Sequence, residues 1–144
     1  MGRIPGTGGP IALAGRIHHV GVAVTDLEGA AKLYETSFGM TRGLHRLMPE
    51  RGVEVQFMVL PGTVIELLAP LGDDSPVQKF IERRGPGLHH LCFEVADIEK
   101  ALADCRRQGL EPIDLKPRPG AEDKLVAFLM PSPAFGVLIE LQQA

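Results

Sequence analysis

Hydrophobic and polar positions in this 144-residue chain fall into short β-branched runs punctuated by glycine and proline, with a few stretches of helical spacing between them. Ile17 to Val24 predicts a strand by its valines and isoleucine. Thr25 then opens a helix, with Glu28 completing a capping box. Leu27, Ala30, Ala31, Tyr34 and Phe38 form its apolar stripe, and Gly39 stops it. A less regular strand follows over Met40 to Met48, then a turn at Pro49 to Gly52. Val53 to Leu60 and Val64 to Leu68 predict a hairpin about Pro61-Gly62. A short helix comes next, capped by Asp74 or Ser75 with Pro76 at its first position; it turns Val77, Phe80 and Ile81 inward and ends at Gly85.

The pattern then repeats. Ile17-His18-His19-Val20-Gly21-Val22-Ala23-Val24 returns seventy-one positions later as Leu88-His89-His90-Leu91-Cys92-Phe93-Glu94-Val95. The helix stripe Leu27, Ala30, Ala31, Tyr34 returns at the same offset as Ile98, Ala101, Leu102, Cys105, in a helix from about Asp97 to Gln108 that Gly109 stops. Strands follow near Glu111 to Leu115, Leu125 to Met130 and Val137 to Leu141. Each half therefore reads β-α-β-β-β. Neither half buries a sheet face alone, so the fold class is α+β: two tandem βαβββ modules forming one curved, partly closed mixed sheet around a metal site, helices outside. Module 1 spans about 16–71, a linker helix about 72–86, and module 2 about 87–144. Residues 1–15, rich in glycine and proline, read as a flexible leader, with an apolar core too short for a signal peptide.

Strand alternation selects the candidate chemistry. His19 shares a face with Gly21 and Ala23, and His90 with Cys92 and Glu94; small neighbours suit a cavity wall. His18 and His89 point the other way and read as buffers at strand starts, and His45 as a surface residue. Glu66 and Glu140 each end a module, flanked by large aliphatics on both sides. A buried, unpaired carboxylate costs several kcal/mol, so each needs a cation or a donor. Two imidazoles and two carboxylates, His19, Glu66, His90 and Glu140, make a mixed N/O site for a divalent metal, and ligand type alone leaves Co, Ni, Mn, Fe and Zn open.

Composition narrows the classes. A net charge of −3 argues against a nucleic-acid partner, and no stretch approaches the ~20 apolar residues of a membrane span. Cys92 and Cys105 read as small buried hydrophobes in a reducing, cytoplasmic setting. The absence of Trp, with a single Tyr, leaves little with which to stack a flat ligand.

From Arg16 to the C-terminus the chain resembles the vicinal oxygen chelate superfamily of glyoxalase I, extradiol dioxygenases and bleomycin-resistance proteins. Within it the likeness is to the methylmalonyl-CoA epimerase family. HHVGVAVTDLE, IELLAPLGDDSPVQKFIERRGPGLHHLCFEV, KPRPGA and GVLIELQQ carry it. The resemblance implies metal ligands at His19, Glu66, His90 and Glu140, the same four residues, with cobalt as the family's metal. It also implies an acyl-CoA substrate, a homodimer, and epimerisation by proton removal and return at C2 through an enolate, with Glu140 both ligand and proton shuttle.

Two positions depart from the family. Where some members carry a second glutamate base this chain has Val55, with Glu54 one residue off; a bulge turning Glu54 inward, Glu66 itself or a water would have to serve. Met130-Pro131-Ser132 stands where relatives have histidine-proline-lysine. Lys79, Arg83, Arg84, Lys116 and Arg118 read as solvated charges or CoA phosphate contacts, and Gly120-Ala121 as a turn or a substrate neighbour. The rival enzyme is a glyoxalase I-type isomerase, and the rival from another class is a metal-free drug-sequestering binder on the same fold.

Overall fold

The computed structural model describes residues 9–144; the first eight residues of the expected leader lie outside it. The chain runs β1 (Leu13–Ala23), α1 (Leu27–Phe38), β2 (Thr41–Met48), β3 (Val53–Leu60), β4 (Thr63–Pro70), α2 (Pro76–Arg84), β5 (Gly87–Val95), α3 (Ile98–Arg107), β6 (Arg118–Pro119), β7 (Leu125–Leu129) and β8 (Ile139–Gln143). This is the α+β, twice-repeated βαβββ succession. It forms two compact units, one of residues 19–89 and one that joins the described residues 9–18 with 90–144. Strand order is β2-β3-β4-β1 in the first, and β5-β8-β7-β6 lie side by side in the second.

In the unit of residues 19–89, β1 and β4 run parallel, with Gly21 opposite Glu66 and Ala23 opposite Leu68. β3 and β4 form an antiparallel hairpin in unbroken register from Val53–Pro70 to Leu60–Thr63. The turn between them holds Gly62 at a positive φ of 76°, which glycine adopts without strain. Helix α1 covers one face, where Ala31 packs among Met40, Met58 and Leu67, with Val22, Val24, Leu27, Ala30, Tyr34 and Ile65 around them.

Three expectations for this unit need correction. Asp26, not Thr25, caps α1: its carboxylate accepts from Gly29 N at 2.9 Å. That leaves Glu28 to make a two-pronged pair with Arg42 instead of closing a capping box. Phe38 is 62 % exposed, outside the buried stripe. Strand β2 looked irregular in sequence because its register against β3 slips between Arg42 and His45. Gln56 reaches across the slip, its amide donating to the carbonyls of Gly43 and Leu44 at 3.2 and 3.3 Å. Ser75 is the α2 cap, its hydroxyl accepting from Val77 N and Gln78 N.

In the other unit, β5 and β8 run parallel, with Cys92 opposite Glu140, and β7 lies antiparallel to β8. Helix α3 supplies most of its core: Ile98, Ala101, Leu102 and Cys105 pack on Val95, Ala127, Leu129 and Leu141. Both cysteines are buried thiols, and burial pushes the Cys105 thiol up, away from reactivity.

The strand foreseen near Glu111 to Leu115 is reduced to a single bridge between Pro112 and Leu129, and the paired strand of that region is the two-residue β6. Pro112, Pro117 and Pro119 lack the N–H that a ladder needs. Strand β8 begins at Ile139, because Val137 N is used in a turn back to Ala134 O. At the other end, order extends further back than Arg16: β1 starts at Leu13, Ala96 N donates to Ala12 O, and Ile11 packs against the α3 core.

Asp26→Ala should cost about 0.5–2 kcal/mol in chemical denaturation, with Thr25→Ala near neutral. Leu102→Ala, at a side chain only 2 % exposed, should cost about 2–5 kcal/mol.

Candidate active site

Each unit carries one imidazole–carboxylate pair, built the same way. On β1, His19 lies two residues before Gly21, so both point to one face; Gly21 is opposite Glu66 on β4, and Glu66 is opposite Phe57 on β3. His19 Nε2 lies 3.5 Å from Glu66 Oε1, with the two side chains 2 % and 9 % exposed. The Phe57 ring sits 6.0 Å from the imidazole. Glycine and alanine at 21 and 23 leave the histidine room, while Ile65 and Leu67 turn to the α1 side and anchor the strand.

On β5, His90 lies two residues before Cys92; Cys92 is opposite Glu140 on β8, and Glu140 is opposite Phe128 on β7. His90 Nε2 lies 3.1 Å from Glu140 Oε1, with the side chains again 2 % and 9 % exposed. Phe128 meets the imidazole edge-on at 5.6 Å. Sequence reading missed the two phenylalanines, although they stand apart by the same seventy-one positions as the histidines. An aromatic wall on each ring fixes its orientation and excludes water from the pair.

These pairs fit a divalent cation. Two donors about 2.1 Å from one ion, at octahedral or tetrahedral angles, stand about 3.0–3.4 Å apart. The 3.1 Å of His90–Glu140 lies within that spacing and the 3.5 Å of His19–Glu66 about 0.1 Å beyond it. Neutral imidazole nitrogen with carboxylate oxygen is the donor chemistry of borderline first-row metals.

Glu54 falls elsewhere. It lies next in sequence to Val55, and the β3 register against β4 contains no bulge to rotate it. Val55 shares the face of Phe57, whereas Glu54 shares that of Met58 on the α1 side, where it meets His45 Nε2 at 2.7 Å. Both line a cleft of about 520 Å³ with Glu28, Arg42 and Gln56. His45 is a half-exposed surface residue, as its position suggested.

The first histidine of each pair also departs from the buffer reading. His89 is half-buried, its ring edge against Phe80 at 4.6 Å. His18 is 5 % exposed and bonded: its Nε2 lies 2.9 Å from Glu122 Oε1, to which the Gln142 amide also donates at 3.0 Å. Nothing in the sequence pattern marked Glu122, because it sits in a polar turn without period. Nearby, Glu94 is bound by the Arg16 guanidinium at 3.1 Å. That hydrogen bond holds the Glu94 carboxyl below its ordinary value, against the opposing effect of burial.

Gly120 makes a turn: its N–H donates to Lys124 O, and a Cβ there would meet Val126 Cγ1 at 2.8 Å. Lys79, Arg83 and Lys116 are exposed, Arg84 lies over the Phe80 ring, and Arg118 faces Asp114 at 3.6 Å.

Residues 18–128 match the Glyoxalase/Bleomycin resistance protein/Dioxygenase superfamily, to which the chain belongs. It is 43 % identical to bovine mitochondrial methylmalonyl-CoA epimerase, over 97 % of this chain and 80 % of the relative. It is 42 % identical to an ethylmalonyl-CoA/methylmalonyl-CoA epimerase of Cereibacter sphaeroides, over 91 % and 99 %. A solved Streptomyces coelicolor methylmalonyl-CoA epimerase variant, in complex with 2-nitronate-propionyl-CoA, superposes with a TM-score of 0.87 at 31 % identity, over 92 % and 96 %. Within the superfamily the chain is an enzyme of the methylmalonyl-CoA epimerase family.

The Arg16–Glu94 pair gives a signed pH dependence. A depressed carboxylate stabilises the fold above its unfolded value, near 4.5, and that stability is lost as pH falls through the lower folded value. The urea midpoint of Arg16→Met should therefore lie below that of the wild type at neutral pH, and the gap should close in acid.

Proposed function

We propose that the protein interconverts (R)- and (S)-methylmalonyl-CoA, with His19, Glu66, His90 and Glu140 together holding one divalent cation. The observation that carries this reading is the duplication: a buried imidazole–carboxylate pair at cation-ligand spacing, set at the same register in each module. A lone pair of that kind is an ordinary core ion pair; two copies in an enzyme of this family are not. Similarity to epimerases, one of them bound to an acyl-CoA analogue, supports the substrate class.

Epimerisation removes the proton at C2, between the thioester and carboxylate carbons, and returns one to the opposite face. When bound, the cation supplies Lewis-acid stabilisation of the charge that develops on the substrate oxygens, roughly several kcal/mol. The chain supplies the rest. Phe57 and Phe128 each keep the ligand ring of their own unit oriented. Glu140 carries the proton on one face, one oxygen directed to the ligand set and the other to C2. Cobalt, a homodimer and a cytoplasmic setting complete the reading; among the described residues no helix is long and apolar enough to cross a membrane.

Incubation with methylmalonyl-CoA in heavy water tests it directly: deuterium should enter C2 as the epimers equilibrate, and absence of both processes overturns the reading. Protein purified without chelator should carry about one equivalent of divalent metal per chain, and His19→Ala or His90→Ala should lose metal and turnover together. Glu140→Gln, if it retains metal, should stop exchange on its face; normal activity in that variant excludes Glu140 as the shuttle.

A further inference from the structure

Two-base epimerisation needs a second proton carrier, and neither Val55 nor Glu54 provides one: the first has no proton to move and the second lies on the α1 face. We infer that Glu122 is a further catalytic residue, the carboxylate that serves the face of C2 opposite Glu140; this rests on the epimerase reading above.

The placement is built rather than incidental. Glu122 sits in a tight turn closed by Asp123 N to Gly120 O at 3.0 Å and Gly120 N to Lys124 O at 2.9 Å, with Asp123 itself left-handed at φ 62°. Strain of that kind fixes the direction in which the preceding side chain leaves the turn. His18 Nε2 and the Gln142 amide both hold Glu122 Oε1, at 2.9 and 3.0 Å. These two supports are 5 % and 3 % exposed, whereas the Glu122 side chain itself is 34 % exposed. Among the described residues Oε2 accepts no hydrogen bond, so one oxygen is anchored and the other is available to take a proton.

Gln142 lies two residues beyond Glu140 on β8, hence on the same strand face, about 6.6 Å further along. The Glu122 carboxylate is tied to that position. A planar carbon centre lying between Glu140 and the carboxylate that Gln142 holds would present one of its faces to each. The step balances: Glu122 carboxylate takes the C2 proton and becomes the acid, the C–H electron pair passes into the enolate, and Glu140 in its acid form delivers a proton to the other face. The reverse reaction exchanges the two roles, and exchange with solvent resets them.

The test follows each epimer separately in heavy water. Glu122→Gln should lower interconversion by about 10²–10⁴-fold. Exchange of C2 hydrogen should persist in the one epimer whose proton faces Glu140, with metal content equal to wild type. Interconversion within threefold of wild type overturns the inference, and so does a parallel loss of exchange in both epimers. Wild-type protein that exchanges neither epimer sinks the epimerase reading, and Glu122 with it. Gln142→Leu tests the anchoring separately: a positioning role predicts a fall in kcat with KM little changed.

Discussion

Burying a carboxylate among aliphatic side chains sets the terms for this protein. Glu66 and Glu140 leave water almost completely, and such a group persists only where a donor or a cation answers it. In both units the answer is the imidazole two residues before the parallel neighbour on the first strand. Everything around the pair serves that contact. Parallel pairing of first and fourth strands fixes the register, helix packing fixes which face each strand shows, and an aromatic ring from the third strand walls the histidine. A one-residue slip in either strand would turn the glutamate into the helix layer and leave its charge without an answer.

That constraint explains why so much was legible beforehand. Period-two alternation, read on two copies of the same module, singled out His19 and His90 from their neighbours, and the aliphatic flanks of Glu66 and Glu140 set their facing. The same logic separates Glu54 from Val55, and the unbroken β3–β4 register upholds the alternation against a rescuing bulge. Helix stops, turns and the linker cap were equally readable, because Gly39, Gly62 and Ser75 act through local backbone chemistry.

What escaped reading depends on tertiary contact. Thr25 and Asp26 are both competent caps, and only the path of the chain decides that Asp26 reaches Gly29 N. His18 was assigned by a rule for isolated strands, whereas its surroundings come from a turn over one hundred residues away. Prolines thinned the segment before β7 to a bridge even though its apolar content resembled a strand. Glu122 belongs to no period at all; a polar turn gives no hint of which of its carboxylates is held.

Duplication and divergence divide the labour between the modules. The residue two beyond the buried glutamate is Leu68 on β4 but Gln142 on β8, so only the second module carries the amide that grips Glu122. Identical pairs suit a spherical cation, which makes no distinction between equivalent donors. A stereogenic carbon does make one: its two faces must meet acid and base in opposite protonation states, and a perfectly repeated protein would offer no means of telling them apart. On the proposed reading the repeated pairs would hold the cation, with Glu140 also carrying the proton of one face, and the second proton carrier, Glu122, stands where the repeat fails.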